Sequence, residues 1–446
     1  VEALIENLQN LPRLTRFGRV ARMEGLLVEV TGASGAIGMG GRLRIAGANG
    51  QETPCEVVGF RDGRALAMPF GQLDGIALGA RATFEERISA VYPSRAWLGR
   101  VVDAFGHPMD GKGALAEGME PYALRATPIP AHSRARLGGK LDLGVRALNS
   151  FVTCCKGQRM GIFAGSGVGK SILLAMLTRN TNADVTVIAL VGERGRELKE
   201  FIEDDLGEEG LKRSVVIAAT SDEAPLLRRQ AAFVAMATAE YFRDQGLHVL
   251  LLMDSVTRFA MAQREIGLSA GEPPATKGYT PTVFAELPRL LERAGPGREG
   301  NGGSITGLFT VLVEGDDHNE PISDAVRGIL DGHIVLERAI AERGRYPAIN
   351  VLRSVSRAMP HCNSEAEQAI VLAARAQLST YEDMAELIRL GAYRAGTNPE
   401  VDKAITLYGP LEAFLTQKKA ERATLGAGYA ELKKILDAGG TKGNVK

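Results

Sequence analysis

Hydrophobic positions along the chain fall into successive textures, each predicting different elements. Over the first stretch, Val1 to about Arg16, Val1, Leu4, Ile5, Leu8 and Leu11 recur at helical spacing. They predict a short amphipathic helix whose apolar face packs on its own domain or on a partner. From about Phe17 to Val91 the pattern shortens to alternating runs, "LLVEV", "RLRIA", "CEVVGF" and "RALAM", separated by the Gly-rich turns "TGASGAIGMGG", "AGANG" and "RDGR". Short strands at this spacing predict a small β-barrel or sandwich. No catalytic constellation falls in it, so it reads as a scaffold or assembly collar. A Pro/Gly-rich connector follows. From about Phe151 to Arg357, "RMGIFAG", "DVTVIALVG", "SVVIAAT", "HVLLLMD" and "GSITGLFTVLVEG" are continuous apolar runs alternating with helix-like segments. Strands apolar on both faces and alternating with helices predict a parallel sheet in an α/β domain. Beyond Arg357, "SEAEQAIVLAARAQLSTYEDMAELIRLGAY" and "PEVDKAITLYGPLEAFLTQKKAERATL" have helical periodicity and predict a C-terminal helical domain. The expected domains are 1–91, 92–357 and 358–446.

Composition narrows the classes. At 446 residues the chain exceeds one ordinary domain. Lys plus Arg and Asp plus Glu both number 53, so no global charge draws nucleic acid or anionic lipid to the whole surface. With aromatic residues at 5%, base-stacking platforms are disfavoured as well. Cys55, Cys154, Cys155 and Cys362 show no zinc spacing and read as reduced thiols of a cytosolic protein. No apolar run approaches the ~20 residues that span a bilayer. The start lacks the basic-then-apolar order of a signal peptide. It also lacks an initiator Met, so further residues are expected to precede Val1.

The chemistry gathers at the ends of the apolar strands. "AGSGVGKS", residues 164–171, lies between the strand "RMGIF" and the apolar helix "SILLAML". That is the setting of a phosphate-binding loop, except that Ala164 stands at the first glycine position. In such a loop, Gly165, Ser166, Gly167, Val168 and Gly169 present backbone N–H groups to phosphates. The three glycines allow close approach and positive φ. Lys170 neutralises the β- and γ-phosphates, Ser171 ligates Mg²⁺, and Ile172 continues into the helix. Ala164 is tolerable if its φ is negative. Asp254 ends the strand "HVLLLMD", where a carboxylate can hold the Mg²⁺ shell, although strand-ending Asp also serves as a helix cap. Glu193 ends "DVTVIAL" at the same edge and can polarise water for attack on the γ-phosphate. Its structural alternative is a surface pair with Arg194 or Arg196. Arg353 and Arg357 in "NVLRSVSRAMP" could complete a neighbouring subunit's site, or simply be solvated.

Taken together, "AGSGVGKS", "VGERGRE", "LLLMDSVTRFAMAQREI", "GEPPATKGYTPTVFAELPRLLERAG", "EGDDHNEPISD" and "LDGHIVLERAIAERGRYPAINVLRSVSRAMP" resemble the rotary ATP synthase and type III secretion ATPase group over nearly the whole chain. "GEPPATKGY", "RSVSRAMP" and "LGAYRAGTNPEVDKAITL" are most similar to flagellar protein-export ATPases. The resemblance implies a RecA-like ATPase core with a parallel sheet, preceded by a small β-barrel and followed by a helical domain. It further implies a homohexamer with ATP and Mg²⁺ at subunit interfaces. On it, Glu193 matches the catalytic glutamate, Asp254 the Mg²⁺-coordinating aspartate, Arg357 the arginine finger given in trans, and Tyr346 in "RYPAIN" the tyrosine that packs against adenine. Noncatalytic rotary subunits carry Gln where this chain has Glu193, and family members often carry Ala at position 164. Implied partners are a stator-like export regulator at the N-terminal helix, export gate proteins and chaperone–substrate complexes. The implied location is cytoplasmic, peripheral to the inner membrane.

Two type III readings compete, a flagellar export ATPase and a virulence injectisome ATPase. A rotary synthase subunit would need a partner chain with alternating sites. A hexameric RNA translocase would need an oligonucleotide-binding N-terminal domain, which neutral charge and few aromatics disfavour.

Overall fold

The computed structural model describes residues 15–438 apart from 34, 49, 86–88 and 314–319. The amphipathic helix expected over the first sixteen residues falls almost wholly outside them, as does part of "EGDDHNE". The chain divides into two compact units, one holding the described N-terminal region with 223–227 and 262–283, the other 91–222, 228–261 and 284–446.

In the first unit six strands close a barrel: β1 (Phe17–Glu24), β2 (Leu27–Thr31), β3 (Arg42–Ala46), β4 (Glu52–Arg61), β5 (Arg64–Pro69) and β6 (Arg81–Phe84). Their order is β1-β2-β5-β4-β3-β6, which brings β6 back onto β1 and leaves no free edge. Alternation does the sorting. Along β3, Leu43 and Ile45 point into the core with Val28, Val30, Val57 and Ala67, while Arg44 between them faces out. Of the two expected forms, barrel and sandwich, the barrel is the one found.

The second unit is built on a sheet. Its main strands are β7 (Arg100–Val102), β8 (Arg159–Ala164), β9 (Val185–Glu193), β10 (Ser214–Thr220), β11 (His248–Asp254), β12 (Ser304–Leu312), β13 (Gly332–Leu336) and β14 (Ile349–Ser356), with a short strand Gly295–Pro296 pairing antiparallel with β12. They run in the order β14-β13-β8-β12-β11-β9-β10-β7. Neighbours pair parallel from β13 to β7, whereas β14 returns antiparallel along β13. The apolar runs are buried almost throughout, as a sheet covered on both faces requires.

Helix α1 (Lys170–Asn180) follows the phosphate-loop segment. The C-terminal helices are α2 (Glu365–Arg389), α3 (Pro399–Leu415) and α4 (Leu425–Ala438). α2 starts on a capping box in which the Ser364 side chain and Glu367 satisfy each other's backbone N–H. Leu411, Phe414 and Leu432 of these helices share one apolar core with Leu174 of α1 and Ile162 of β8. The helical periodicity expected from Pro399 onward stops at Leu415; residues 416–424 form an irregular stretch before α4. No described helix is long and apolar enough to cross a membrane.

Candidate functional site

Strand β8 ends at Ala164, whose carbonyl accepts the Val313 N–H at 3.0 Å. Ala164 is buried and has no positive φ, so its methyl meets no backbone penalty. The loop then turns through Gly167 (φ 75°) and Gly169 (φ 87°), two of the three glycines singled out. Gly169 caps α1, and a Cβ there would lie 3.2 Å from the Tyr346 ring. Both its backbone and its crowding therefore demand glycine. Ser166 and Gly167 are exposed, whereas the Val168 side chain is buried in the core and leaves only its backbone to a ligand.

Lys170 projects from the first residue of α1 between two carboxylates. Its Nζ lies 2.6 Å from Asp254 Oδ1 and 3.3 Å from Glu193 Oε1. All three side chains are largely shielded, at 14%, 5% and 15% exposure for Lys170, Asp254 and Glu193. Burial works against the charged ammonium, yet the attraction of Asp254 and Glu193 outweighs it and holds Lys170 above the ordinary lysine value. Burial pushes Asp254 up, against the pull of Lys170. Glu193 reaches the pair because of a local irregularity. The β9–β10 register skips between Val191 and Glu193, and Gly192 at φ 71° packs its bare Cα face towards the Arg258 side chain. Such a bulge re-aims the residue after it. The surface alternative for Glu193 is not what occurs, since Arg194 pairs with Glu197 and Arg196 with Glu200.

Ser171 and Ile172 lie exposed in the first turn of α1. Ile172 and Tyr346 border a cleft of about 340 Å³ that opens beside Gly169 and runs to Thr416–Lys419. Tyr346 is 41% exposed. Arg357 is not part of this assembly. It follows β14, which antiparallel pairing carries to the opposite edge of the sheet, and its N–H donates to the Asp331 carbonyl at 2.9 Å.

Two contributors escaped the sequence reading. Thr310 of β12 donates to Asp254 Oδ1 at 2.7 Å and steadies that carboxylate. Its only signal was a hydroxyl inside an apolar run. Gln417, buried, forms the far wall: its N–H donates to the Tyr346 carbonyl at 2.9 Å, its Nε2 to the Gly144 carbonyl at 2.9 Å, and its Oε1 accepts the Arg146 N–H at 2.8 Å. Nothing in its local sequence distinguishes it from a helical residue.

This arrangement, an anion-seeking loop with a lysine, two carboxylates at one sheet edge and an adjoining half-apolar cleft, suits a nucleotide held by phosphate at one end and base at the other. Comparison with known proteins agrees. Residues 144–356 match the nucleotide-binding domain of the ATP synthase alpha/beta family, and residues 20–85 match its beta-barrel domain. A "Flagellum-specific ATP synthase" of Caulobacter vibrioides is 57% identical over 442 residues, covering 98% of this chain and 100% of the relative. The chain belongs to the ATP synthase alpha/beta family. Within that family it groups with flagellar and type III secretion members. Residues 363–434 match the C-terminal domain of the EscN type III secretion ATPase. The "Type 3 secretion system ATPase" of Xanthomonas euvesicatoria is 47% identical, covering 90% of each chain. The solved structure of assembled EscN with its central stalk EscO, from enteropathogenic E. coli, aligns at a TM-score of 0.85 and 37% identity, covering 94% of this chain and 100% of the other.

Proposed function

We propose that the chain is the ATP hydrolase of a flagellar protein-export apparatus, working as a homohexamer that couples hydrolysis to delivery and unfolding of export substrates. The observation that carries this reading is the Lys170–Asp254–Glu193 cluster beside the Tyr346 cleft, joined to 57% identity with a flagellar relative. The phosphate loop grips the β- and γ-phosphates, Lys170 neutralises their charge, and Glu193 orients water for in-line attack. Tyr346 packs against adenine. A magnesium ion would be held by the Ser171 hydroxyl and the Asp254 carboxylate, and would neutralise phosphate charge when bound. The donors fit: hard oxygens, few in number, suit an ion that keeps waters and phosphate oxygens as its other ligands. Among the described residues no three His, Cys, Asp or Glu side chains come together as an all-protein cage. Arg357 would serve the site of a neighbouring subunit.

Further partners follow from the same reading: a central stalk, as EscO is for EscN, a stator-like regulator at the N-terminal helix, export gate proteins and chaperone–substrate complexes. The division into domains 1–91, 92–357 and 358–446, and a peripheral position at the cytoplasmic membrane face, belong to it too. A second reading, the injectisome ATPase, is favoured by the Xanthomonas and EscN likenesses.

Two experiments test these readings. Glu193→Gln is expected to keep nucleotide binding while turnover falls by about two orders of magnitude or more; unchanged turnover would move the water-activating role elsewhere. Pull-down from motile and non-motile cells is expected to recover flagellar export components. Recovery of injectisome components instead would favour the second reading.

A further inference from the structure

Asp331 lies between the helix Pro321–Ile329 and β13, at the edge of the sheet from which Arg357 departs. Its carboxylate grips Arg159 at both ends of the guanidinium fork, Nε to Oδ2 at 3.0 Å and Nη2 to Oδ1 at 3.1 Å. Oδ2 also accepts the Arg159 backbone N–H at 3.1 Å, and the Asp331 N–H donates to the Arg159 carbonyl at 2.8 Å. Arg159 is in turn paired with Glu292. A bidentate pair of this kind fixes direction as well as distance. What it fixes is the Asp331 carbonyl, which receives the Arg357 N–H at 2.9 Å.

A second tie comes from Gln158, a fully buried amide. Its Nε2 lies 3.3 Å from the Asp331 carbonyl and 3.0 Å from Ser356 Oγ, while its Oε1 accepts the Cys155 N–H at 2.9 Å. Ser356 Oγ donates onward to the Thr153 carbonyl at 2.7 Å. Residues 356 and 357 are thus both anchored to the base of β8. The Arg357 side chain, beyond the anchor, is exposed and has no hydrogen-bond or ion-pair partner among the described residues. The backbone at this point is thus held by the sheet and by Asp331, while the guanidinium faces solvent.

We propose that Asp331, acting through Arg159 and Gln158, is the positioning residue for Arg357, fixing the backbone from which its guanidinium reaches a neighbouring subunit's nucleotide. The proposal rests on the reading of Arg357 given above. Stabilisation of transition-state charge depends on preorganised donors, so a loosened root costs turnover while leaving the same subunit's own phosphate loop unaffected.

The test uses the full chain carrying Asp331→Ala, with the nearly isosteric Asp331→Asn taking its place if alanine does not fold. Turnover is expected to fall on the order of a hundredfold, as for a displaced catalytic group. Affinity for a fluorescent ATP analogue is expected to stay within about twofold, since ground-state binding is untouched. Mixing with Lys170→Ala is expected to restore activity, because those subunits bring a sound Arg357 to the sound loop of the Asp331 variant. Turnover near that of the unaltered protein overturns the proposal. So does a loss that mixing does not restore, when Arg357→Ala mixed with Lys170→Ala does recover. Failure of that control pair overturns the in-trans reading of Arg357, and the proposal with it.

Discussion

Arg357 leaves the sheet at the end of β8 opposite to Lys170. Its N–H is held by Asp331, which pairs with Arg159 at the start of that strand, whereas Lys170 follows the loop beyond Ala164 at its finish. Six residues of strand separate them, roughly 20 Å at about 3.3 Å per residue. An arginine so placed cannot complete the phosphate site of its own chain. Turnover per subunit is therefore expected to rise with protein concentration through the range where subunits associate. Steady-state assays across dilution, with light scattering alongside, check this; a flat profile across the association range would defeat the in-trans role.

The charge on Lys170 is expected to be insensitive to pH over the working range. Burial lowers its proton affinity, but Asp254 and Glu193 raise it further, so the folded-state value lies above the ordinary 10.5. A raised lysine keeps its contribution below the unfolded value and loses it only as pH climbs through the folded one. ATP affinity measured from pH 7 to pH 9.5, all below the ordinary lysine value, should therefore show no fall attributable to Lys170. A decline with a midpoint near pH 8 would contradict the geometry.

Gly169→Ala is expected to damage both stability and binding. A residue with Cβ at φ 87° is strained by roughly 1–2 kcal/mol. Its methyl would also sit 3.2 Å from Tyr346. Thermal melts should show a lowered midpoint, and nucleotide affinity should weaken as Tyr346 is displaced. Gly167→Ala, which has the same kind of φ but open space around it, should show the strain without the displacement.

The four cysteines are free thiols, as expected of the chain, but they are not equivalent. Burial pushes Cys55 up to about 12, and burial likewise drives Cys154 well above the usual thiol range. The half-buried Cys362 is pulled down, first by its hydrogen bond with Cys155 and then by the charge of Lys140. Brief alkylation of the native protein at pH 8, read by peptide mass spectrometry, should mark Cys362 well before Cys55 or Cys154. Labelling of all four at equal rates would signal that the fold had opened.

What the sequence made legible was local in origin. Each of the apolar runs read as a strand is one, because a strand buried on both faces needs nothing but apolar residues and a turn at each end. Lys170, Asp254 and Glu193 could be placed at one edge because parallel strands all finish on the same side. The aiming of Glu193 was not legible, since it depends on a bulge at Gly192 that only pairing with β10 defines. Nor was the end of α3 at Leu415. Residues 416–424 carry no glycine or proline, and what breaks the helix is distant: Gln417 finds better partners in Gly144, Arg146 and Tyr346 than a further turn could offer. The antiparallel course of β14, and with it the far placement of Arg357, was hidden for the same reason.

Gln417 also joins the C-terminal segment to the cleft. The glycine loop belongs to the sheet, but the lining beside Tyr346 is lent by the irregular stretch between α3 and α4. The segment joining α3 to α4 therefore lines the cleft itself, and Gln417 ties those two helices to the backbone of Tyr346.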